Sequence, residues 1–311
     1  MREEEFYKRL EEKLHFLEAK RRKILSWLLG LVLILAVLSL PLLHYIYTHY
    51  GEKAFYATIA LTLAIPVPVY LERRKSWSRL FKEEFLLLLF KAFFPNLTYG
   101  ADRYIPLELF WGSMLFVDKP YPEKYRGEDM IKGKVGETEI ALSEVHAEYK
   151  TESIDLQGRK KTQWYTLFKG VFFVAKFPKK AKGVILVYPD TFRFFSTPAN
   201  LQRVKLEDPE FEKHFDVFSN DQIEARYILS LNLMRRMLDF VLKTGAKLRF
   251  SFMGEYMFCA MDLDKDFFKA PSLFSSVYPL LYKEGFRRYV QEVELLISLV
   301  EELNLNRRLW L

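Results

Sequence analysis

Residues 24–47 read ILSWLLGLVLILAVLSLPLLHYIY, a run without one charged side chain. At about 1.5 Å per residue a helix over this run spans about 36 Å, enough to cross a bilayer with some tilt. A second apolar run, FYATIALTLAIPVPVYL, covers residues 55–71. Its helix would be about 26 Å long, and Pro66 and Pro68 would kink it. The connection THYGEKA over residues 48–54 is short, so the pair reads as a helical hairpin whose two ends emerge on the same side.

Charge gives the side. Lys20, Arg21, Arg22 and Lys23 precede the first run, and Arg73, Arg74, Lys75 and Arg79 follow the second, whereas the connection carries only Lys53 beside Glu52. Basic residues stay on the cytoplasmic side of a bilayer, so both termini are expected in the cytoplasm of a two-span inner-membrane protein. Tyr45, Tyr47, Tyr50, Phe55 and Tyr56 crowd the outer end and Trp27 and Tyr70 the inner one, as interfacial aromatics do. A charged stretch ahead of the first run argues against a cleaved signal peptide.

The chain has 311 residues, 50% of them hydrophobic and 16% aromatic, which excludes a disordered or collagen-like protein. The lone Cys259 excludes an intrachain disulfide and any zinc ribbon built on paired cysteines. Net charge is +7, but the cations are spread among many acids, and no dedicated nucleic-acid surface is expected.

Residues 1–23 read as a cytoplasmic amphipathic helix, with Phe6, Leu10, Leu14 and Leu17 on one face. Residues 72–96 form a juxtamembrane helix whose stripe is Trp77, Leu80, Phe81, Phe85 and Leu88. The two stripes suit each other as an antiparallel stalk, and each equally suits burial against the domain or a second subunit. The run FLLLLF over residues 85–90 is too short for a third span and reads as a packed face or interfacial helix.

Residues 97–311 are expected to form one cytoplasmic α+β unit of mainly antiparallel strands plus two long amphipathic helices. Strand patterns occupy residues 138–149, 163–177 and 184–188, the first two separated by a turn at Leu156-Gln157-Gly158-Arg159. One long helix is predicted from a capping box at Ser219 and Gln222 through Ile223, Tyr227, Leu231, Met234, Leu238 and Val241 to a C-terminal cap at Gly245. Residues 247–252 and 256–262 read as a hairpin. A last helix runs over residues 286–303, with Phe286, Val290, Val293, Ile297 and Val300 inward and Glu292, Glu294, Glu301 and Glu302 outward. Two lobes would meet near Ser196-Thr197-Pro198, and the tail from Arg307 to Leu311 suits contact with lipid headgroups and suits still better a frayed end.

Chemistry is sparse. Gly127 and Gly133-Lys134 approach a phosphate-binding loop, but the spacing is one residue too long and Val135 stands where magnesium needs a hydroxyl. Turn glycines between strands fit better. Glu144 and His146 alternate on one strand face, where a carboxylate could orient an imidazole or both could meet a metal, but a third ligand is missing. Asp262, Asp264 and Asp266 open like a calcium loop and lack its glycine. Cys259, among Met257, Phe258, Ala260 and Met261, reads as a buried small apolar residue. Asn96-Leu97-Thr98 is a glycosylation sequon on the cytoplasmic side, hence unused. The stretches Lys160-Lys161-Thr162-Gln163-Trp164-Tyr165 and 176–182 suit anionic lipid or RNA, and suit still better cationic strand ends that blunt a sheet edge. No catalytic residue, metal or cofactor is expected.

Ser113-Met114-Leu115-Phe116, Arg126-Gly127-Glu128-Asp129 with Gly133, Ser143-Glu144-Val145 and Phe168-Lys169-Gly170-Val171-Phe172-Phe173 carry a resemblance, as do Phe215-Asp216-Val217, Ser219, Asp221-Gln222, Glu224-Ala225-Arg226-Tyr227 and Ser251-Phe252. Over residues from about 111 to 268 the chain resembles an uncharacterised bacterial family, of the domain of unknown function 3137 type, with two membrane spans near the N-terminus and a cytoplasmic domain. The resemblance implies the architecture and brings no catalytic residues. The expectation is a membrane-anchored binding or scaffold module engaging a protein, peptide or anionic lipid. Its partners would be the bilayer and another membrane or cytoplasmic protein, without specific nucleic acid, and homo-oligomerisation stays open. The alternative is a membrane-tethered enzyme acting on an anionic lipid or nucleotide through Glu144 and His146. A channel is disfavoured because neither run holds an ionised side chain to line a route.

Overall fold

The computed structural model describes residues 3–64, 66–154, 160–190, 200–262, 267–303 and 305. The expected turn over 156–159, the lobe junction over 196–198, Asp264, Asp266 and the tail from Arg307 lie outside them. The fold is α+β and divides into two compact units, one of residues 1–93 with 268–290 and one of residues 94–267 with 291–311. Residues 268–290 thus group with the helical unit, where the sequence places them in the domain starting at residue 97.

The helical unit begins with α1 (Glu3–Leu63), interrupted at Gly51, whose φ of 77° and ψ of −175° are non-helical. Glu3, Glu4 and Glu5 occupy its first turn, where carboxylates complement the helix dipole. After α1 come α2 (Pro66–Phe81), a π-helical turn (Lys82–Leu86) and α3 (Leu87–Phe93). Pro66 opens α2, a position where its missing N–H has no helical partner to lose, so the prolines begin a helix instead of kinking one. Contacts between the two arms run in antiparallel order about Gly51. The Phe6 and Phe93 rings meet edge-on at 5.2 Å, Lys13 pairs with Glu84, the Arg73 guanidinium lies 5.0 Å over the Trp27 ring, and Tyr47 meets Phe55 at 5.5 Å.

The predicted stripe Phe6, Leu10, Leu14 and Leu17 is buried, and so are Trp77, Phe81, Phe85 and Leu88. In FLLLLF every side chain but Leu87 is buried, so this run is a packed face. Among the described residues one helical stretch, within Glu3–Phe93, is long and apolar enough to cross a membrane, and only 6% of its most apolar segment is buried. Leu33, Val37, Leu38 and Leu40 there are each more than 60% exposed.

The base of this unit is held by one carboxylate. Glu18, 2% exposed, accepts from Arg21 Nη2 at 2.6 Å and Nε at 3.0 Å, from Arg22 Nε at 2.9 Å and from the Val277 N–H at 3.2 Å. Arg21 Nη1 in turn donates to the Leu273 carbonyl at 2.6 Å. Leu273 and Val277 are thereby tied to α1.

The second unit is built on an antiparallel sheet of β1 (Leu97–Gly100), β2 (Lys124–Val135), β3 (Thr138–Ile154), β4 (Lys160–Pro189), β5 (Gln202–Val204), β6 (Phe215–Ser219) and β7 (Lys247–Asp262). The order is β1-β2-β3-β4-β6-β5, with β7 on β4. The predicted strands over 163–177 and 184–188 are parts of the single β4. Nor do the two halves of β7 form a hairpin: both pair with β4, from Gly170↔Asp262 to Val187↔Phe250. Sequence could not distinguish the cases, because β7 is buried on both faces over most of its length and shows no alternation.

The β4–β7 ribbon doubles over. Arg249 and Asp262 are 13 residues apart on one strand, yet Arg249 Nη2 donates to Asp262 Oδ2 at 3.0 Å. An extended strand of that length would separate them by about 40 Å. The bend falls where the β4–β7 register is irregular, between Lys176 and Val184, opposite Gly254 with its φ of 56°. The two halves of β4 then share a core in which Phe168, Phe172 and Val174 meet Leu186 and Tyr188. Ile105, Leu115 and Phe116, with Phe110 of α4 (Leu107–Gly112), join it.

The predicted long helix is broken into α6 (Gln222–Ile228) and α7 (Leu231–Thr244), after the short α5 (Pro209–His214). Asp221, not Ser219, caps α6 by accepting from the Ile223 and Glu224 N–H groups, and Ser230 caps α7. Gly245 ends α7 in the left-handed conformation as read. Ile223, Tyr227 and Leu231 are exposed, while Met234 and Leu238 are buried. The last helix, α8 (Lys283–Glu302), buries Phe286, Val293 and Val300, and also Glu292, which the sequence places outside.

Hydrogen bonds from Arg21 first of all hold the Glu18 carboxyl at about 2, below its ordinary 4.5, and burial opposes them. Its stabilising contribution is complete above about pH 4.5 and is lost as pH falls toward 2. Glu18→Gln should cost about 3 kcal/mol at pH 7, read by urea unfolding in mild detergent, with the difference from wild type shrinking in acid. A constant difference across that range would contradict the assignment.

Candidate functional site

Glu144 and His146 both lie on β3, and the register sets Glu144 opposite Glu128 of β2 and His146 opposite Arg126. Their side chains have separate partners. Glu144 Oε1 accepts from the Phe267 N–H at 2.7 Å. His146 Nδ1 lies 2.7 Å from Arg126 Nη2, a donor under all conditions, so this nitrogen is the acceptor and the neutral ring carries its proton on Nε2. Nε2 is buried without a hydrogen bond, 3.7 Å from Glu148 Oε1. No carboxylate–imidazole couple results between the two predicted residues.

The structure instead brings Glu144 to two residues that sequence reasoning missed. Carboxylate oxygens of Glu128, Asp129 and Glu144 lie within 4.8 Å of one another. Asp129 is buried, has a φ of 60° and sits in the β-bulge between Glu128 and Ile131. The Tyr99 hydroxyl donates to Asp129 Oδ1, and burial foremost, then the Asp129 charge, pushes that phenol up. Three hard oxygen ligands suit a divalent cation of the calcium or magnesium kind. The signal was faint. Counting back from the two-residue turn at Gly136 sets Asp129 opposite Glu144, and only the bulge shifts Glu128 into that place.

Gly127 and Gly133 stand inside β2, not in turns. A Cβ at Gly133, where φ is 154°, would come 2.1 Å from the Asn96 carbonyl oxygen, and one at Gly127 would come 2.4 Å from that of Glu144. Close backbone approach, not phosphate, requires them. Cys259 is fully buried and its thiol is pushed up by desolvation, then by Asp262, in keeping with an inert apolar residue. Asp262 serves the ion pair with Arg249.

Of the eight basic residues flanking the apolar runs, Arg21 is buried on Glu18. Lys20, Arg22, Lys23, Arg73, Arg74, Lys75 and Arg79 are exposed, with Arg22 also on Glu18 and Arg79 on Glu83. The stretch 160–165 is exposed throughout, with Lys124 Nζ 3.5 Å over the Trp164 ring and Tyr165 stacked on Tyr149. In 176–182 two of the four lysines have side-chain partners within the unit, Lys179 on Tyr227 and Lys180 on Glu255, and Lys176 and Lys182 are exposed. An open groove of about 450 Å³ lies among Phe215, Val241, Leu242 and Leu248, with Lys213, His214, Lys247 and Asp190 at its sides.

Residues 166–305 match a family described as "Protein of unknown function (DUF3137)". The match starts later and ends later than the resemblance read from sequence, leaving the motifs of 113–145 outside it. No match was found among curated proteins. Among solved structures, the crystal structure of the mycobacterial trehalose monomycolate transport factor A, TtfA, is similar at 11% identity and a TM-score of 0.34, over 74% of this chain and 94% of that one. A likeness at that level carries no argument.

Burial foremost lowers the His146 pKa below its ordinary 6.5, with Arg126 and Lys169 adding to the effect and Glu148 opposing it. The imidazole should therefore be neutral at pH 7 and titrate below 6.5, followed by its ring-proton NMR signals. Arg126→Gln should move the midpoint upward. A midpoint at or above 6.5 in the wild-type protein would contradict the placement.

Proposed function

We propose that this chain, whose residues 166–305 form a domain of the DUF3137 type, is a membrane-anchored binding or scaffold module. It is held in the inner membrane by two spans with both termini cytoplasmic, and it engages a protein, peptide or anionic lipid. The observation that carries the reading is the uncharged helical surface over residues 24–47, on which Leu33, Val37, Leu38 and Leu40 stand exposed. In water such a surface is unfavourable by about 25 cal/mol per Å², and a bilayer removes that cost. Exposed basic residues flanking the two apolar runs on the side away from Gly51, and none but Lys53 near Gly51, support the orientation.

Binding in place of catalysis is supported by the second unit. Glu144 and His146 are engaged separately, and the described groove is open and mainly apolar, with few polar groups converging in it. The enzyme reading keeps one supporting observation, the carboxylates of Glu128, Asp129 and Glu144, through which a cation could hold an anionic substrate. Titration calorimetry with calcium or magnesium, with Glu144→Gln as control, weighs the two readings.

The anchor is tested directly. The protein should stay with membranes through alkaline carbonate washing. In intact cells a membrane-impermeant thiol reagent should reach Glu52→Cys and leave Glu255→Cys unlabelled until the cells are opened. Release by carbonate, or labelling of residue 255 from outside, would end the proposal.

A further inference from the structure

Between Lys269 and Lys283 the chain reads APSLFSSVYPLLY without a charge. Within the helical unit its contacts follow a course. The Pro271 carbonyl accepts from Trp77 Nε1 at 2.8 Å and the Leu273 carbonyl from Arg21. The Phe274 ring then stacks on Tyr70, with centroids 6.1 Å apart and planes at 29°. Val277 returns to Glu18, and the Tyr278 hydroxyl lies 3.0 Å from His15 Nδ1.

Along α1 the partners recede from Arg21 to Glu18 to His15, away from the apolar run that begins at residue 24. On α2 they advance from Trp77 to Tyr70, into the run that ends at residue 71. Phe274 is therefore the apex of the segment. Leu273 and Val277 are buried and hold it from beneath, and Ser272 closes the turn by accepting from the N–H groups of Phe274 and Ser275. The apex ring is nevertheless 65% exposed. It lies level with Tyr70, beside the end of the arm whose apolar surface also stands open, and Lys20, Lys23, Arg74 and Lys75 are exposed on the adjoining helical turns.

We propose that residues 270–282 are a third membrane contact, in which Phe274 enters the headgroup–acyl boundary beside Tyr70 and the neighbouring lysines and arginine meet anionic headgroups. An aromatic ring flanked by cations is the composition of that boundary. The proposal rests on the membrane-anchored reading and goes beyond it, because it gives a distant segment of the chain the same lipid surface as the two spans.

The test uses the full chain in vesicles of phosphatidylcholine and phosphatidylglycerol. A polarity-sensitive fluorophore is placed on Phe274→Cys, on Ser275→Cys, which keeps the ring, or on Leu33→Cys in the first span. Wild type is the blank, since Cys259 is buried. Nitroxide on the lipid near the headgroup should quench the labels at 274 and 275 about twofold or more, and nitroxide deep in the acyl chain should quench them less. The label at 33 should be quenched best by the deep nitroxide. If position 33 is quenched while 274 and 275 are reached by aqueous iodide, the third contact is wrong and the anchor stands. If iodide and lipid nitroxide both fail to reach 274 and 275, a protein surface covers the ring and the proposal is overturned. If position 33 is not quenched by lipid, the membrane reading fails and takes the proposal with it.

Discussion

The buried Glu18 carboxylate is the constraint on which the helical unit depends. A charge removed from water is tolerated only when its lone pairs are used, and here Arg21, Arg22 and the Val277 N–H use them. Because Arg21 also donates to the Leu273 carbonyl, a residue pair just ahead of the apolar run fixes a segment that the chain reaches only after completing the sheet. The same hub removes Arg21 from the set of cations that could face headgroups. It also ties Leu273 and Val277, on either side of Phe274, to the helical base, and so sets the level of the exposed Phe274 ring.

The β-rich unit depends on a different device. A ribbon of two long strands, β4 and β7, is bent so that its halves bury one another, and the Arg249–Asp262 pair joins the ends. Burial on both faces explains why so many of its side chains are apolar without alternation. Glycines at 127 and 133 permit close backbone approach, and the bulge at Asp129 gathers three carboxylates where a regular ladder would have gathered two.

Function is less concentrated than in an enzyme with a deep polar cleft. The outward apolar surface of the N-terminal arms, the basic residues flanking it and the Phe274 apex are the features on which the proposed bilayer contact rests. On the second unit the open groove beside α7 and the exposed Lys160–Tyr165 ribbon edge are the surfaces left for another. The description of the matched family is of unknown function, so the chemistry of these surfaces carries the functional reading.

The sequence by itself determined the features that depend on near neighbours along the chain. Charge-free length marked the apolar runs, spacing of three and four placed Phe6, Leu10, Leu14 and Leu17 on one buried face, and the freedom of glycine at positive φ placed the end of α7 at Gly245. Only the tertiary structure decided what depends on distant pairing. That β7 joins β4 instead of itself, that Glu128 and Asp129 meet Glu144, that Glu292 and Arg21 are buried and that residues 268–290 group with the helices all follow from strand register and from burial against remote segments. Local periodicity records which face of an element is apolar, and it carries no record of which element will cover that face.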